Sequence, residues 1–210
     1  MKDWNEDNKW SRKFHRVIRM ILGLALFRDA PIEEDQERNT DLWSLVSPPM
    51  NGTKQLRAAI RIRRSWYYDQ YDYRNEFTIR STRPSGTATE FQKMLDGWAQ
   101  IYFYGFANEQ ESGLRSYHVA DMHWFTCWLK RHWLETGEFP GKKQSNGDGS
   151  SEFRVYKWSD VPKRSDGSSF VLYQHDSSGT ADSFKGKTVQ TQIDLKVPSP
   201  ATCPKASGKN

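Results

Sequence analysis

Arginine and tyrosine crowd the segment from Lys54 to Arg83, and chemistry is most concentrated there. Its eight basic residues face three acids (Asp69, Asp72 and Glu76), so this segment alone carries the chain's formal charge of +5. Arg57, Arg61, Arg63, Arg64, Arg80 and Arg83 could grip phosphate oxygens. Tyr67, Tyr68, Tyr71 and Tyr73 could stack on bases beside them. A nucleic-acid-binding surface is therefore expected. Glu90 and Lys93 stand three apart in a helical stretch, hence on one face, and could point back over the strands. His118, His123 and His132 are the candidate ligands or bases among the histidines. His123 and His132 are nine apart, with Trp124 and Trp128 nearby, and read as surface or satisfied core histidines.

Several chemistries are excluded by what the chain lacks. No Cys/His cluster has zinc-ligand spacing. No P-loop, Rossmann glycine pattern, G-x-S-x-G or H-E-x-x-H occurs, which argues against ATP hydrolysis, dinucleotide chemistry, serine esterase chemistry and thermolysin-type proteolysis. Cys127 sits in an aromatic helical run and Cys203 in a Pro/Ser/Lys tail, so the two are not expected to pair. The N-terminus has no signal-peptide pattern. The longest apolar stretch, Met20 to Phe27, is less than half a membrane span. A cytoplasmic protein with no membrane partner is expected.

The elements that must position these residues follow from periodicity. A flexible N-terminus (1–11) precedes a helix from Arg12 to about Phe27, with Phe14, Val17, Ile18, Ile21, Leu22 and Ala25 on one face. After an acidic stretch (Glu33, Glu34, Asp35, Glu37), Leu42 to Val46 reads as a first strand. Leu56 to Arg63 alternates strictly, predicting a half-buried strand whose wet face is Arg57, Arg61 and Arg63. Glu76 to Arg80 alternates again, and antiparallel pairing of the two would put Arg61, Arg63, Glu76, Thr78 and Arg80 on one surface. Thr89 caps a helix carrying Phe91, Met94, Leu95 and Trp98. Ile101 to Phe106 is a buried strand, Tyr117 to Ala120 another, and Asp121 to Trp133 an aromatic-rich helix. Lys142 to Ser151 reads as a linker. Phe153 to Val161 and Phe170 to Tyr173 could add strands. The expected fold is α/β (α+β), a central mixed β-sheet flanked by helices in one domain over 12–175. Residues 176–210 should form a low-complexity, largely disordered tail, with one strand at most, over Val189 to Val197.

Helix, strand, strand, strand, helix, strand is the order so obtained. Over Phe14 to Phe106 it resembles the αβββαβ core of the PD-(D/E)XK, or restriction-endonuclease-like, nuclease superfamily. The resemblance implies an aspartate and a Glu-x-Lys pair that hold Mg²⁺ against the scissile phosphate, the lysine orienting or activating water. The motif is degenerate and two registers compete. In one, Asp41 matches the aspartate, but Arg61-Ile62-Arg63 stands where Glu-x-Lys belongs, and arginine cannot ligate a metal. In the other, Glu76 supplies the acid, Thr78 replaces the lysine, and Glu90 with Lys93 on the next helix supplies the missing groups. The resemblance thus implies Asp41, Glu76 and Glu90 on the metal side, with Glu33, Glu34 or Asp35 as a further ligand. Lys93 would orient water, and Arg61, Arg63, Arg80 and Arg83 would hold phosphates.

The implied activity is a divergent Mg²⁺-dependent endonuclease acting on DNA, in a family whose double-strand cutters commonly form homodimers. The rival is a non-catalytic nucleic-acid-binding or structural protein on the same fold, favoured by Arg-x-Arg in the Glu-x-Lys position. A third reading is a protein–protein adaptor using an exposed aromatic patch over Trp124 to Trp133. The compact, basic, aromatic-rich character, with its idiosyncratic tail, resembles that of phage-encoded proteins.

Overall fold

A strand that is apolar on both parities is stable only when both its faces are covered, and Ile101 to Ala107 is such a strand, every residue of it buried. The computed structural model describes residues 4–22, 28–38, 40–46, 54–70, 73–97 and 99–177. In chain order the first half comprises α1 (Trp4–Arg12), α2 (His15–Ile21), β1 (Arg28–Asp29), α3 (Ile32–Arg38), β2 (Leu42–Val46), β3 (Lys54–Arg63), α4 (Trp66–Asp69) and β4 (Glu76–Thr82). Then come α5 (Glu90–Leu95), β5 (Ile101–Ala107), β6 (Leu114–Asp121), α6 (Met122–Thr136), β7 (Lys142–Ser145), β8 (Glu152–Lys157) and β9 (Val171–Asp176).

Six strands form one mixed sheet in the order β1-β2-β3-β5-β6-β9, and β4-β8-β7 form a second, smaller one. The α+β expectation is met. Within the large sheet only β3 and β5 run parallel, Arg61 lying opposite Tyr104; the other pairs are antiparallel. One face of that sheet packs Leu42, Leu56, Ala58, Ile62, Phe103 and Val119 against Phe14, Ile18 and Leu22 around α2. The opposite face packs Ala59, Tyr102, Tyr104 and Phe106 against Phe77 and Ile79 of β4, Phe91 and Met94 of α5, and Phe125 and Leu129 of α6. The small sheet and two helices thus form a lid over the second face.

This layering corrects the expected hairpin. Glu76 to Thr82 is a strand, but it pairs with β8 in the second sheet and leaves β3 to pair with β2 and β5. The arginine face of β3 is therefore roofed and not wet: Arg57, Arg61 and Arg63 are all half-buried. The αβββαβ order survives in sequence only, because its third strand leaves the central sheet. Other corrections are smaller. Trp4 to Arg12 is helical where a flexible terminus is expected, and a turn at Lys13-Phe14 splits the single helix expected over Arg12 to Phe27. The linker expected over Lys142 to Ser151 holds β7. β9 reaches Asp176, one residue past the expected domain end. The rest of the expected tail, including the strand at Val189 to Val197, lies outside the described residues.

Candidate functional site

Asp41 enters β2 with its backbone N–H donated to Ala58 O at 3.0 Å. Its carboxylate turns onto β3, where Oδ2 accepts the Ile60 N–H at 2.6 Å. Glu90 opens α5. Thr89 fixes that helix start, its N–H donating to Gln92 Oε1 and its Oγ1 to Ser81 O, both at 3.1 Å. The cap ties α5 to the end of β4 and aims Glu90 at the roofed face of β3. There Arg61 Nη1 donates to both carboxylate oxygens, at 2.9 and 3.0 Å. The side chains are only 16% and 18% exposed, so this is a largely buried ion pair and not a surface one. The Arg80 N–H adds a longer bond to Glu90 Oε2 at 3.4 Å.

Electrostatics join further residues to the pair. Burial pushes the Glu90 carboxyl up, but Arg61, Arg80 and Arg83 outweigh it and hold it below the usual value. At Asp41 the balance falls the other way. Burial first, then Asp35 and Glu90, push it up to about 8, with the Ile60 N–H and Arg12 opposing only in part. Lys93 is lowered by burial, with Asp35, Glu90 and Glu37 opposing and Arg83 assisting. Asp35, Asp41, Glu90, Lys93, Arg61, Arg80 and Arg83 therefore share one electrostatic neighbourhood, formed by α3, β2, β3, the end of β4, and α5.

Glu76 is not part of it. It starts β4 opposite Lys157, four residues from Arg80, or roughly 13 Å along an extended strand. The neighbourhood thus combines Asp41 from one register with Glu90 and Lys93 from the other, and leaves Glu76 out. Of the other arginines, Arg64 pairs with Glu111 at 2.8 Å and lies over the Trp10 ring, while Trp10 Nε1 donates to Glu111 at 2.7 Å. Arg57 is half-buried, its backbone bonded to Gln100. Arg63 lies over Tyr67, 4.2 Å from the ring centroid.

The hard oxygens of Asp35, Asp41 and Glu90 are of the right chemistry for Mg²⁺, but their arrangement does not fit the ion. Both Glu90 oxygens already face the Arg61 guanidinium, and one Asp41 oxygen is taken by the Ile60 N–H. Among the described residues, no three His, Cys, Asp or Glu are grouped so that they could hold a metal. A fixed guanidinium sits where a mobile cation would be needed.

The remaining candidates are accounted for elsewhere. His118 stacks on Trp158 with centroids 4.2 Å apart, and burial holds it down at about 4 against the pull of Asp176. His132 shares a 2.9 Å bond with Glu138 O. His123 Nε2 is 3.8 Å from Cys127 Sγ. Cys127 is disulfide-bonded, which corrects the expectation of unpaired cysteines; Cys203, the other cysteine, lies outside the described residues. The aromatic patch on α6 is partly consumed, since Trp124 Nε1 donates to Pro162 O at 2.9 Å and Trp128 packs on the core. One participant carries no sequence signal: Arg12, whose charge opposes the raised Asp41, lies in no motif. No helix among the described residues is long and apolar enough to cross a membrane. Compared with protein-family models, with the curated proteins and with solved structures, the chain matches none.

Proposed function

We propose that this chain is a nucleic-acid-binding protein, with DNA as the first candidate ligand, in which an arginine–carboxylate pair stands where the sequence resemblance implies a metal site. The observation that carries this reading is the largely buried Arg61–Glu90 pair, in which Arg61 occupies the Glu-x-Lys position and takes both oxygens of the one acid α5 supplies. Arg80, Arg83 and Lys93 surround it with donors suited to phosphate oxygens. In this reading Glu90 stands in for phosphate while the site is free, and an incoming phosphate competes with it for Arg61.

A second reading, the Mg²⁺-dependent endonuclease, is favoured by one observation: Asp41 is a carboxylate whose desolvation and acidic neighbours outweigh the pull of Arg12, pushed up to about 8. It requires Glu90 to leave Arg61.

Labelled duplex DNA, with Mg²⁺, with Mn²⁺ and with chelator, separates the two. The binding reading expects salt-sensitive association without cleavage and without metal dependence. Glu90→Gln should tighten binding several-fold by freeing Arg61, and Arg83→Ala should weaken it. Metal-dependent cutting that disappears in Asp41→Asn would install the second reading. Absence of both binding and cutting would sink both.

A further inference from the structure

Trp66 is the exposed end of a three-layer stack. Its ring lies 3.6 Å from that of Tyr67, nearly parallel, and the Arg63 guanidinium lies 4.2 Å from the same Tyr67 ring. One face of Tyr67 cannot hold both at those distances, so the order is Trp66, Tyr67, Arg63. Tyr73 props Tyr67 edge-on at 5.9 Å. The stack is locked from inside, because Arg63 belongs to β3 and α4 follows it after only two residues. Its outer member is open: Trp66 is 49% exposed, although large aromatics ordinarily hide most of their surface.

The charges around the stack are unequally used. Arg64 is answered by Glu111, and Arg115 by Asp69 at 2.9 Å. Among the described residues Arg63 makes no ion pair, and its Nε is buried without a hydrogen-bond partner. A cation behind two stacked rings, with a half-exposed indole in front, is complementary to a flat, electron-rich group carrying nearby negative charge. Arg63 and Arg61 share one face of β3, about 7 Å apart along the strand, so the stack adjoins the arginine site.

We infer that Trp66 is a stacking platform for an unpaired base, and that the nucleic acid crossing this surface is single-stranded there. The inference rests on the nucleic-acid reading above and narrows its ligand class. Duplex bases expose only their edges, so a half-exposed indole has nothing to stack on unless the strand is open.

The test uses the full chain with labelled oligo-dT, oligo-U and a duplex of equal length. A single strand carrying 2-aminopurine reports stacking directly by quenching. Single strands should bind more tightly than duplex, and 2-aminopurine should be quenched on binding. Trp66→Ala should weaken single-strand binding about 5- to 150-fold, the range expected for one lost base stack, and abolish the quenching. Trp66→Phe, which keeps a ring, should retain most of both, and matched thermal melts establish that the variants are folded. If Trp66→Ala bound single strands like wild type, the platform would be overturned while phosphate binding stood. If no oligonucleotide bound, the nucleic-acid reading would fall and the platform with it. Equal preference for oligo-dT and oligo-U supports recognition of the base face alone.

Discussion

At the Arg61–Glu90 pair each charge is tolerable in the interior only because of the other. Removing one partner leaves an uncompensated buried charge, whereas removing both leaves an apolar gap that neighbours such as Tyr102 and Tyr104 can share. Glu90→Met should therefore cost about 3–5 kcal/mol in urea denaturation, and Arg61→Met a similar amount. The double variant Arg61→Met/Glu90→Met should lie within about 1 kcal/mol of wild type. A double variant that loses the sum of the two single losses would show that the side chains are energetically independent. The pair's partners were hidden in the sequence for a physical reason. Alternation along Leu56 to Arg63 reports that the two faces differ, but not that water lies on the polar one. Here the polar face is roofed by β4 and α5, and only the three-dimensional neighbour of Arg61 distinguishes a solvated arginine from a clamped one. Asp41, Glu90 and Lys93 were legible as chemistry-bearing residues and do converge. Glu76 was plausible by type as well, but the pairing of β4 with β8 sets it apart from them.

Elements followed the sequence wherever periodicity and local signals agreed. Leu42–Val46 has the expected bounds, Thr89 caps its helix, and the apolar run 101–106 lies buried inside β5. What sequence could not decide was which strands pair, since β4 alternates as well as any strand of the main sheet and its partner β8 lies about seventy residues away. The small sheet depends on a backbone detail at its far side. Gly141, just before β7, has φ +92, and a Cβ there would meet the Tyr156 ring at 2.6 Å. Tyr156 is buried and packs edge-on against Phe125 and stacks with Phe77, so it cannot swing away cheaply. Gly141→Ala should cost about 2–3 kcal/mol, from left-handed strain together with overpacking. Hydrogen exchange should show the loss concentrated in β7 and β8. Gly147→Ala, where an added Cβ meets nothing within 4 Å, is the control and should be nearly neutral. Equal losses in the two variants would mean that Gly141 is not constrained by Tyr156.

Across the whole molecule, charge and redox state bear on how the fold persists. A disulfide at Cys127 makes the stability of the fold sensitive to reductant. Proton linkage gives a sharper test. Asp41 is raised from 3.8 to about 8, so the folded state holds a proton that the unfolded state releases. That contribution is intact below about pH 4 and is lost as pH rises toward 8. His118 is lowered from 6.5 to about 4, so the unfolded state holds the extra proton. Its contribution is present above pH 6.5 and is lost as pH falls toward 4, and the lowered values of His15 and Glu90 act in the same direction. Between pH 4 and 6.5 the Asp41 and His118 slopes oppose each other, each at most about 1.4 kcal/mol per pH unit and reduced by residual exposure. Single substitutions separate them. Asp41→Asn keeps an acceptor for the Ile60 N–H and cannot ionise, so its gain over wild type should grow from pH 4 to 8 and then level off. His118→Phe keeps a ring on Trp158 and should be more stable than wild type near pH 4, with that advantage gone by pH 6.5. Thermal midpoints at pH 4, 5, 6.5 and 8 read both differences against a common background. A gain from Asp41→Asn of the same size at pH 5 and pH 8 would mean that Asp41 titrates normally, and the case for a raised carboxylate beside Glu90 would go with it.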